Sequence, residues 1–301
     1  MSVRTLLFRQ NVARNIRTQA WLNVACAVYM WSMTLAMTHI AFFIIIPECY
    51  EGSNGLIFSH RLFIWYVFSS VIGNYVTCIE TDTKPKVLSK KTKESKFQQT
   101  TGTSEVTQRN KPTSPAVESK GRYCLPCDNH VPPRTHHCFL CEKCVIRRDH
   151  HCFFMGVCIG QTNHVYFILF TLYMGIGTFY GMLMVAKYMH FQYSIQCYGP
   201  QTFITLFLGT VVSIVRGNIP SLLFLVCFVL LYVSLAGTLF AFGFFFWHIV
   251  ITSRGQTTFE ARRGIKKFSK NSIVANMKQI IKKNWILSTF IPFWDYTMNA
   301  N

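Results

Sequence analysis

Four apolar stretches, at about residues 20–46, 57–79, 165–190 and 221–251, constrain this chain more than any other feature of it. A helix needs roughly 20 apolar residues to cross a bilayer, and a lone segment in lipid satisfies its backbone only as a helix. Each stretch is long enough. Only 14% of the 301 residues are charged, against about 25% in soluble domains. A cleaved signal peptide does not account for the first stretch, which is too long and lacks a small-residue cleavage site. The fold class expected is an all-α integral membrane protein with four transmembrane helices.

The flanks set the orientation. Residues 1–19 carry Arg4, Arg9, Arg14 and Arg17 and no acid, whereas the loop at 47–56 has Glu48 and Glu51 and no Lys or Arg. The loop at 80–164 is rich in Lys and Arg, the loop at 191–220 has only Arg216, and the tail after 251 is basic. Positive charge therefore alternates with each crossing, as expected for both termini in the cytosol. That topology also explains the net charge of +18, from 30 Lys+Arg against 12 Asp+Glu. A nucleic-acid partner is not needed for it, and none is expected. One apolar segment, "FITLFLGTVVSIV" at 203–215, has 13 residues and is too short to cross; it reads as interfacial or luminal.

Composition divides the rest. Residues 1–19 are a cytosolic N-terminus, 20–79 the first two helices and 80–120 a cytosolic linker, rich in Lys, Ser, Thr and Gln over 83–120. A Cys/His-rich module follows at 121–164, then the third and fourth helices with a luminal loop at 165–251 and a cytosolic tail at 252–301. Low apolar content makes 83–120 a tether, or else a basic patch for anionic lipid. Cys49 and Cys197 both fall in luminal loops, where a disulfide between them is possible.

Between positions 124 and 158 lie seven of the twelve cysteines and five of the ten histidines. The pattern is Cys124-x2-Cys127, His136-His137-Cys138-x2-Cys141-x2-Cys144, then Asp149-His150-His151-Cys152-x5-Cys158. Two-residue gaps let a tight turn aim both sulfurs at one tetrahedral ion. Two structural zinc sites use eight ligands, and they would stabilise a module with too few apolar residues for a core. Spacing leaves open which histidine of each pair is a ligand, and it leaves at least one thiol over. Asp149, His150 and Cys152 together have the chemistry of an activated nucleophile: an imidazole takes the thiol proton and a carboxylate orients the imidazole. The plainer alternative is that all of these groups bind metal.

"DHHC" at 149–152, preceded by "RYCLPCDNHVPPRTHHCFLCEKC" and set between the second and third helices, resembles the DHHC-type protein S-acyltransferases, the integral-membrane palmitoyltransferases. "TTFE" at 257–260 resembles that family's TTxE motif, and "NMKQIIKKNW" at 276–285 its C-terminal Asn-containing motif. The resemblance implies two interleaved zinc sites, the first of Cys124, Cys127, His137 and Cys144, the second of Cys138, Cys141, His151 and Cys158. It makes Cys152 the nucleophile, His150 its base and Asp149 the residue that orients the base, with Thr258 helping to hold Asp149. The implied reaction moves a fatty acyl group from palmitoyl-CoA or another long-chain acyl-CoA, through acyl-Cys152, to cysteines of membrane-associated proteins near the cytosolic membrane face. The implied location is the Golgi or ER membrane or the plasma membrane.

The chain departs from the family pattern at Phe153-Phe154 (usually Pro-Trp), Val157 (usually Asn), "TDTKP" at 81–85 (usually with Asp-Pro-Gly) and Ile281-Lys282 (usually Phe-Gly). Phe154 would then supply an aromatic wall for the acyl chain. Phe167, Phe170 and Tyr173, at i, i+3 spacing, either line the acyl cavity or pack between helices, and Thr257 and Thr258 join the candidates for the acyl-CoA site. Gly175 and Gly177 give room at a cavity floor or let another helix approach. Arg134, Lys143, Arg147 and Arg148 are candidates for CoA phosphates or are simply solvated. The competing reading is a zinc-containing membrane adaptor with weak catalysis, which the loss of Pro-Trp favours and the intact Asp149, His150 and Cys152 oppose.

Overall fold

A computed structural model describes residues 3–81, 83, 122–195, 199–281 and 285–291. Most of the linker at 80–120, Cys197 of the suggested disulfide and Lys282 lie outside the described residues. Four helices have the length and apolarity to cross a membrane: Arg17–Cys49, Asn54–Glu80, His164–Tyr193 and Leu222–Ser253. The first is α1 (Val3–Ile40) continued by a π-helical turn (Ala41–Ile45) and α2 (Ile46–Cys49); the others are α3, α4 and α6. At 1.5 Å per residue α4 and α6 reach about 45 Å, longer than the roughly 30 Å hydrocarbon core. The short apolar segment forms α5 (Gln201–Val215), which packs on α6 through Phe207 against Phe228 and Tyr232.

The central helix is α4, flanked by α3 and α6. Small residues set its approach to α6: a Cβ on Gly175 would meet the Phe242 ring at 2.8 Å, and one on Gly237 would meet Thr178 at 3.1 Å. Gly175 thus serves helix contact rather than a cavity floor. Below the module, Met30, Val71, Cys78, Phe167, Phe170 and Tyr173 belong to one buried apolar cluster that also contains Cys152.

The fold is mostly helical as expected, and the Cys-rich module between α3 and α4 carries the only strands among the described residues. Its six strands, β1 (Arg122–Cys124), β2 (Asn129–Val131), β3 (His136–Cys138), β4 (Lys143–Val145), β5 (His150–Cys152) and β6 (Val157–Ile159), pair as three antiparallel hairpins. Each hairpin turns through one left-handed residue, Asp128 (φ 47°), Glu142 (φ 49°) and Gly156 (φ 68°). Strands of three residues with little apolar surface do not stand alone as hairpins in water; metal held by their Cys and His side chains would supply the missing cross-links.

The segment after α6 carries α7 (Thr258–Arg262), α8 (Ile273–Met277) and α9 (Trp285–Phe290). It is the strip on which the module docks. Arg134, in the β2–β3 turn, makes a forked pair with Glu260 (2.8 and 2.6 Å) and also donates to Gln279 (3.1 Å) and the Gly255 carbonyl (3.0 Å). Arg147 donates to the Gln256 carbonyl at 3.1 Å. Buried Asn276 ties the tail to the end of α6: its amide donates to Ser253 O (2.9 Å) and its oxygen accepts from Lys270 N (2.7 Å). Gly255 (φ 67°) is required there, since a Cβ would lie 2.4 Å from that oxygen.

Candidate active site and metal centres

Two groups of four ligand-type residues converge, Cys124, Cys127, His137 and Cys144 in one and Cys138, Cys141, His151 and Cys158 in the other, with the ligand atoms of each within 4.8 Å of one another. Strand alternation decides between the adjacent histidines and cysteines, because successive side chains point to opposite faces. On β3, His137 faces the first group with Cys144 directly opposite in register, while Cys138 faces the second. On β5, His151 faces the second group opposite Cys158, which leaves His150 and Cys152 together on the other face.

The donor sets fit metal. His137 Nδ1 lies 3.2 Å from Cys127 Sγ, and His151 Nδ1 lies 3.3 Å from Cys141 Sγ. On the far side of its ring, His151 Nε2 lies 3.2 Å from Asn23 Oδ1 on α1. An N–H donated there leaves Nδ1 bare for a metal, the usual outer-shell arrangement. Arg148 Nε donates to Cys158 Sγ at 3.3 Å, and its Nη2 lies 3.8 Å from Cys138 Sγ, as befits thiolates. Both groups can therefore hold a metal ion.

Cys152 is in neither group. It is buried and lies on the same face of β5 as His150. His150 Nδ1 donates to Asp149 Oδ2 at 2.8 Å, so its Nε2 is the nitrogen left for the thiol. Asp149 also accepts from the Thr258 backbone N–H on Oδ1 (2.7 Å) and from the Thr258 hydroxyl on Oδ2 (2.8 Å). Burial disfavours the Asp149 carboxylate, but the His150 hydrogen bond outweighs it and holds the group well below the usual carboxylate range. Burial likewise pulls the His150 imidazole down, while the Asp149 hydrogen bond and the neighbouring Cys152 hold it up at about 9. The arrangement is an imidazole kept ready to carry the thiol's proton, beside a fixed negative charge.

The two threonines of "TTFE" divide the work. Thr258 touches Asp149. Thr257 is the N-cap of α7, its hydroxyl accepting from Glu260 N at 3.3 Å while Glu260 Oε2 accepts from Thr257 N at 2.9 Å. Each hydroxyl thus has a partner within the protein. Phe167 is buried with its ring centroid 5.2 Å from that of His150, and Phe170 packs 5.9 Å from Tyr75. Phe154 is 42% exposed, and Phe153 instead stands edge-on to His151 at 5.6 Å. A cleft of about 730 Å³ between α5 and the first turn of α6 includes Thr205, Thr210 and Phe224; it opens at the end of α6 remote from Thr258.

Three of the four suggested phosphate-binding cations are committed to the fold. Arg134 holds Glu260, Arg148 holds the thiols, and Arg147 is 2% exposed with Nη1 3.3 Å from His164 Nδ1. Burial and the nearby Arg134 pull Arg147 down to about 10, which leaves it charged at neutral pH. Sequence reasoning missed His164 and His248. His164 Nε2 is 2.8 Å from His248 Nδ1, and the His248 ring is 5.6 Å from His150. The available signal was His248, the single Asp, Glu, Lys, Arg or His in the apolar helix Leu222–Ser253, which in a membrane protein points to function.

The fold and site define a polytopic membrane protein with two Cys3His groups that could hold metal and, next to them, a Cys–His–Asp array outside both. Over residues 117–265 the chain matches the family model for DHHC palmitoyltransferases. It is also similar to palmitoyltransferase ZDHHC22 of Danio rerio, 29% identical over 127 residues, which is 42% of this chain and 46% of that relative. The chain thus aligns with a little under half the length of this curated relative.

Proposed function

We propose that the protein is a protein S-acyltransferase that moves a long-chain acyl group, palmitoyl or similar, from acyl-CoA to cysteines of membrane-associated proteins through acyl-Cys152. The observation that carries this reading is the Asp149–His150 hydrogen bond of 2.8 Å, held by Thr258 and aimed at a cysteine outside both metal groups. In the first step Cys152 gives its proton to His150 and attacks the thioester carbonyl. The bond to CoA sulfur breaks, and the departing thiolate takes the proton from His150. In the second step a substrate cysteine gives its proton to His150 and attacks acyl-Cys152, whose sulfur leaves as thiolate and is reprotonated. One thioester replaces another, so the task is to supply a thiolate and hold the partners together.

The eight ligands would each time hold one zinc ion, a structural role that fixes β5 and hence Cys152. Asn23 and Arg148 support this by orienting His151 and by offsetting thiolate charge. The basic N-terminus and tail support a topology with both termini and the module in the cytosol. Cys152 precedes α4 by about a dozen residues, so it would sit at the cytosolic interface within reach of juxtamembrane cysteines. The acyl chain would then enter the bilayer region beside Phe167 and Phe170, where burial is worth about 0.8 kcal/mol per CH₂. Endomembranes or the plasma membrane would be the location.

The test is purified full-length protein incubated with palmitoyl-CoA, followed by mass analysis of Cys152. A hydroxylamine-sensitive palmitoyl adduct is expected. An unmodified Cys152 in protein that retains its zinc is the outcome that would favour the metal-containing adaptor instead.

A further inference from the structure

Beneath the Asp149–His150 pair runs a second polar line that the reaction above does not use. It begins at Arg147, continues through His164 at the start of α4 and ends at His248 in α6. All three are at most 2% exposed. The contacts are Arg147 Nη1 to His164 Nδ1 at 3.3 Å and His164 Nε2 to His248 Nδ1 at 2.8 Å.

Donor counting gives this line a direction. A guanidinium has donors and no acceptor, so His164 Nδ1 must be bare and its proton must sit on Nε2. That N–H donates to His248 Nδ1, which must be bare in turn. His248 is then a neutral imidazole with its proton on Nε2. This matters because His248 and His150 crowd one carboxylate: one nitrogen of each ring and an Asp149 oxygen lie within 4.8 Å of one another. Two imidazoles next to a single Asp can each compete for it. Phe167 stands edge-on to both rings, at 5.2 Å from His150 and 5.0 Å from His248, and keeps their planes apart. The neighbouring residue on α6, Trp247, donates to the Thr258 hydroxyl at 3.2 Å, so one helical turn supports both partners of Asp149.

We propose that Arg147, His164 and His248 are positioning residues of the acyl transfer: a one-way hydrogen-bond chain that fixes His248 as a neutral ring beside His150, so that no second imidazolium draws on the Asp149 carboxylate and His150 presents Nε2 to Cys152. The inference rests on the acyltransferase reading and adds to it a tautomer lock built from α4 and α6. It also gives buried Arg147 a role other than binding phosphate.

The test compares full-length His248→Phe, Arg147→Met, their double variant and Arg147→Lys with the parent protein. Three quantities are read: zinc content, the KM and rate constant for Cys152 acylation by palmitoyl-CoA, and the rate of Cys152 alkylation by iodoacetamide without acyl-CoA. Outer-shell partners of this kind typically contribute 10- to 100-fold. Each single variant should slow both acylation and alkylation by roughly that factor, with KM and zinc content unchanged. The double variant should be no slower than the worse single, because both act through one chain. Arg147→Lys, which keeps a charged donor, should recover most of the rate. If Arg147→Met loses zinc through misfolding, His164→Leu replaces it in the same cycle. Parent-like alkylation and acylation in His248→Phe would overturn the inference, as would a double variant whose losses multiply. If the parent takes no acyl group but alkylation still slows in His248→Phe, the acyltransferase reading fails and the tautomer lock stands.

Discussion

Replacing Thr258 with Val removes one donor from Asp149 and the acceptor of the partly exposed Trp247 indole N–H. The carboxylate accepts three hydrogen bonds, at 2.7 Å from Thr258 N, 2.8 Å from the Thr258 hydroxyl and 2.8 Å from His150. Val keeps the shape and the backbone N–H, so one charge-assisted bond of three is lost. Such a bond is worth about 1.5–3 kcal/mol. If the loss is felt in the transition state, at 1.36 kcal/mol per decade, Cys152 acylation should slow by roughly 10- to 150-fold. Thr257→Val should behave differently although it is the adjacent residue. Its hydroxyl caps α7 and never reaches Asp149, so the change should cost about 1 kcal/mol of stability and leave the rate nearly unchanged. The assay is a time course of Cys152 labelling by a fluorescent long-chain acyl-CoA, with thermal melting and zinc content measured on the same samples. The reasoning is refuted if Thr257→Val is the slower enzyme at unchanged melting temperature, or if Thr258→Val labels at the parent rate.

Cys152→Ser should abolish hydroxylamine-sensitive labelling and keep the metal of both groups; residual labelling would put the nucleophile elsewhere. His150→Ala should slow acylation by roughly 10²–10⁴-fold and should regain part of it as pH rises toward the ordinary thiol pKa of about 8.5, whereas His151→Ala should lose metal and gain nothing at high pH. Cys127→Ala and Cys141→Ala should each lower zinc content and melting temperature, and a strong chelator should unfold the module, as followed by proteolysis at 122–160. Arg134→Met should destabilise the docked module by about 3–5 kcal/mol because it leaves Glu260 charged and buried; the double variant with Glu260→Gln should be less damaged than Arg134→Met alone, by melting.

The four crossings were legible because length and apolarity suffice to define them, yet every boundary shifted. The stretch at 57–79 became Asn54–Glu80 and that at 221–251 became Leu222–Ser253. Helices end where backbone groups find caps, as at Ser221, whose hydroxyl accepts from Phe224 N, and hydropathy does not see caps. The ligand sets were legible in type and number from spacing, but the choice between His136 and His137, or His150 and His151, needed the resemblance. Strand alternation is what makes the choice, and strands of three residues give no periodic signal. His248 was not legible because its partner His164 is 84 residues away and only helix packing joins them. The arginines misled for a related reason. In a basic loop they read as surface charge, but left-handed backbone at Arg134 (φ 64°) and Arg147 (φ 44°) accompanies guanidinium groups that turn inward onto Glu260 and His164.

The position of the nucleophile follows from the way the hairpins interlock. Cys124, Cys138 and Cys152 fall 14 residues apart, each the last residue of the first strand of its hairpin, and each is followed four residues later by the left-handed turn residue. Cys152 is therefore the third member of a series whose first two members sit in metal groups. Each group combines the Cys-x2-Cys pair of one hairpin with the histidine and the late cysteine of the next: Cys124 and Cys127 with His137 and Cys144, then Cys138 and Cys141 with His151 and Cys158. A third group would need a second thiol at 155 and a fourth hairpin to supply the rest. Position 155 is Met, buried in the apolar cluster under the module, and the chain goes on to α4 instead of another hairpin. Cys152 thus keeps the rigid placement of a ligand with no ion to quench it. Alternation along β5 sets His150 on its face, and Asp149, held by the strip after α6, completes the array. The last thiol of the interrupted series is left outside both groups because the series stops there, which supports the role proposed for Cys152.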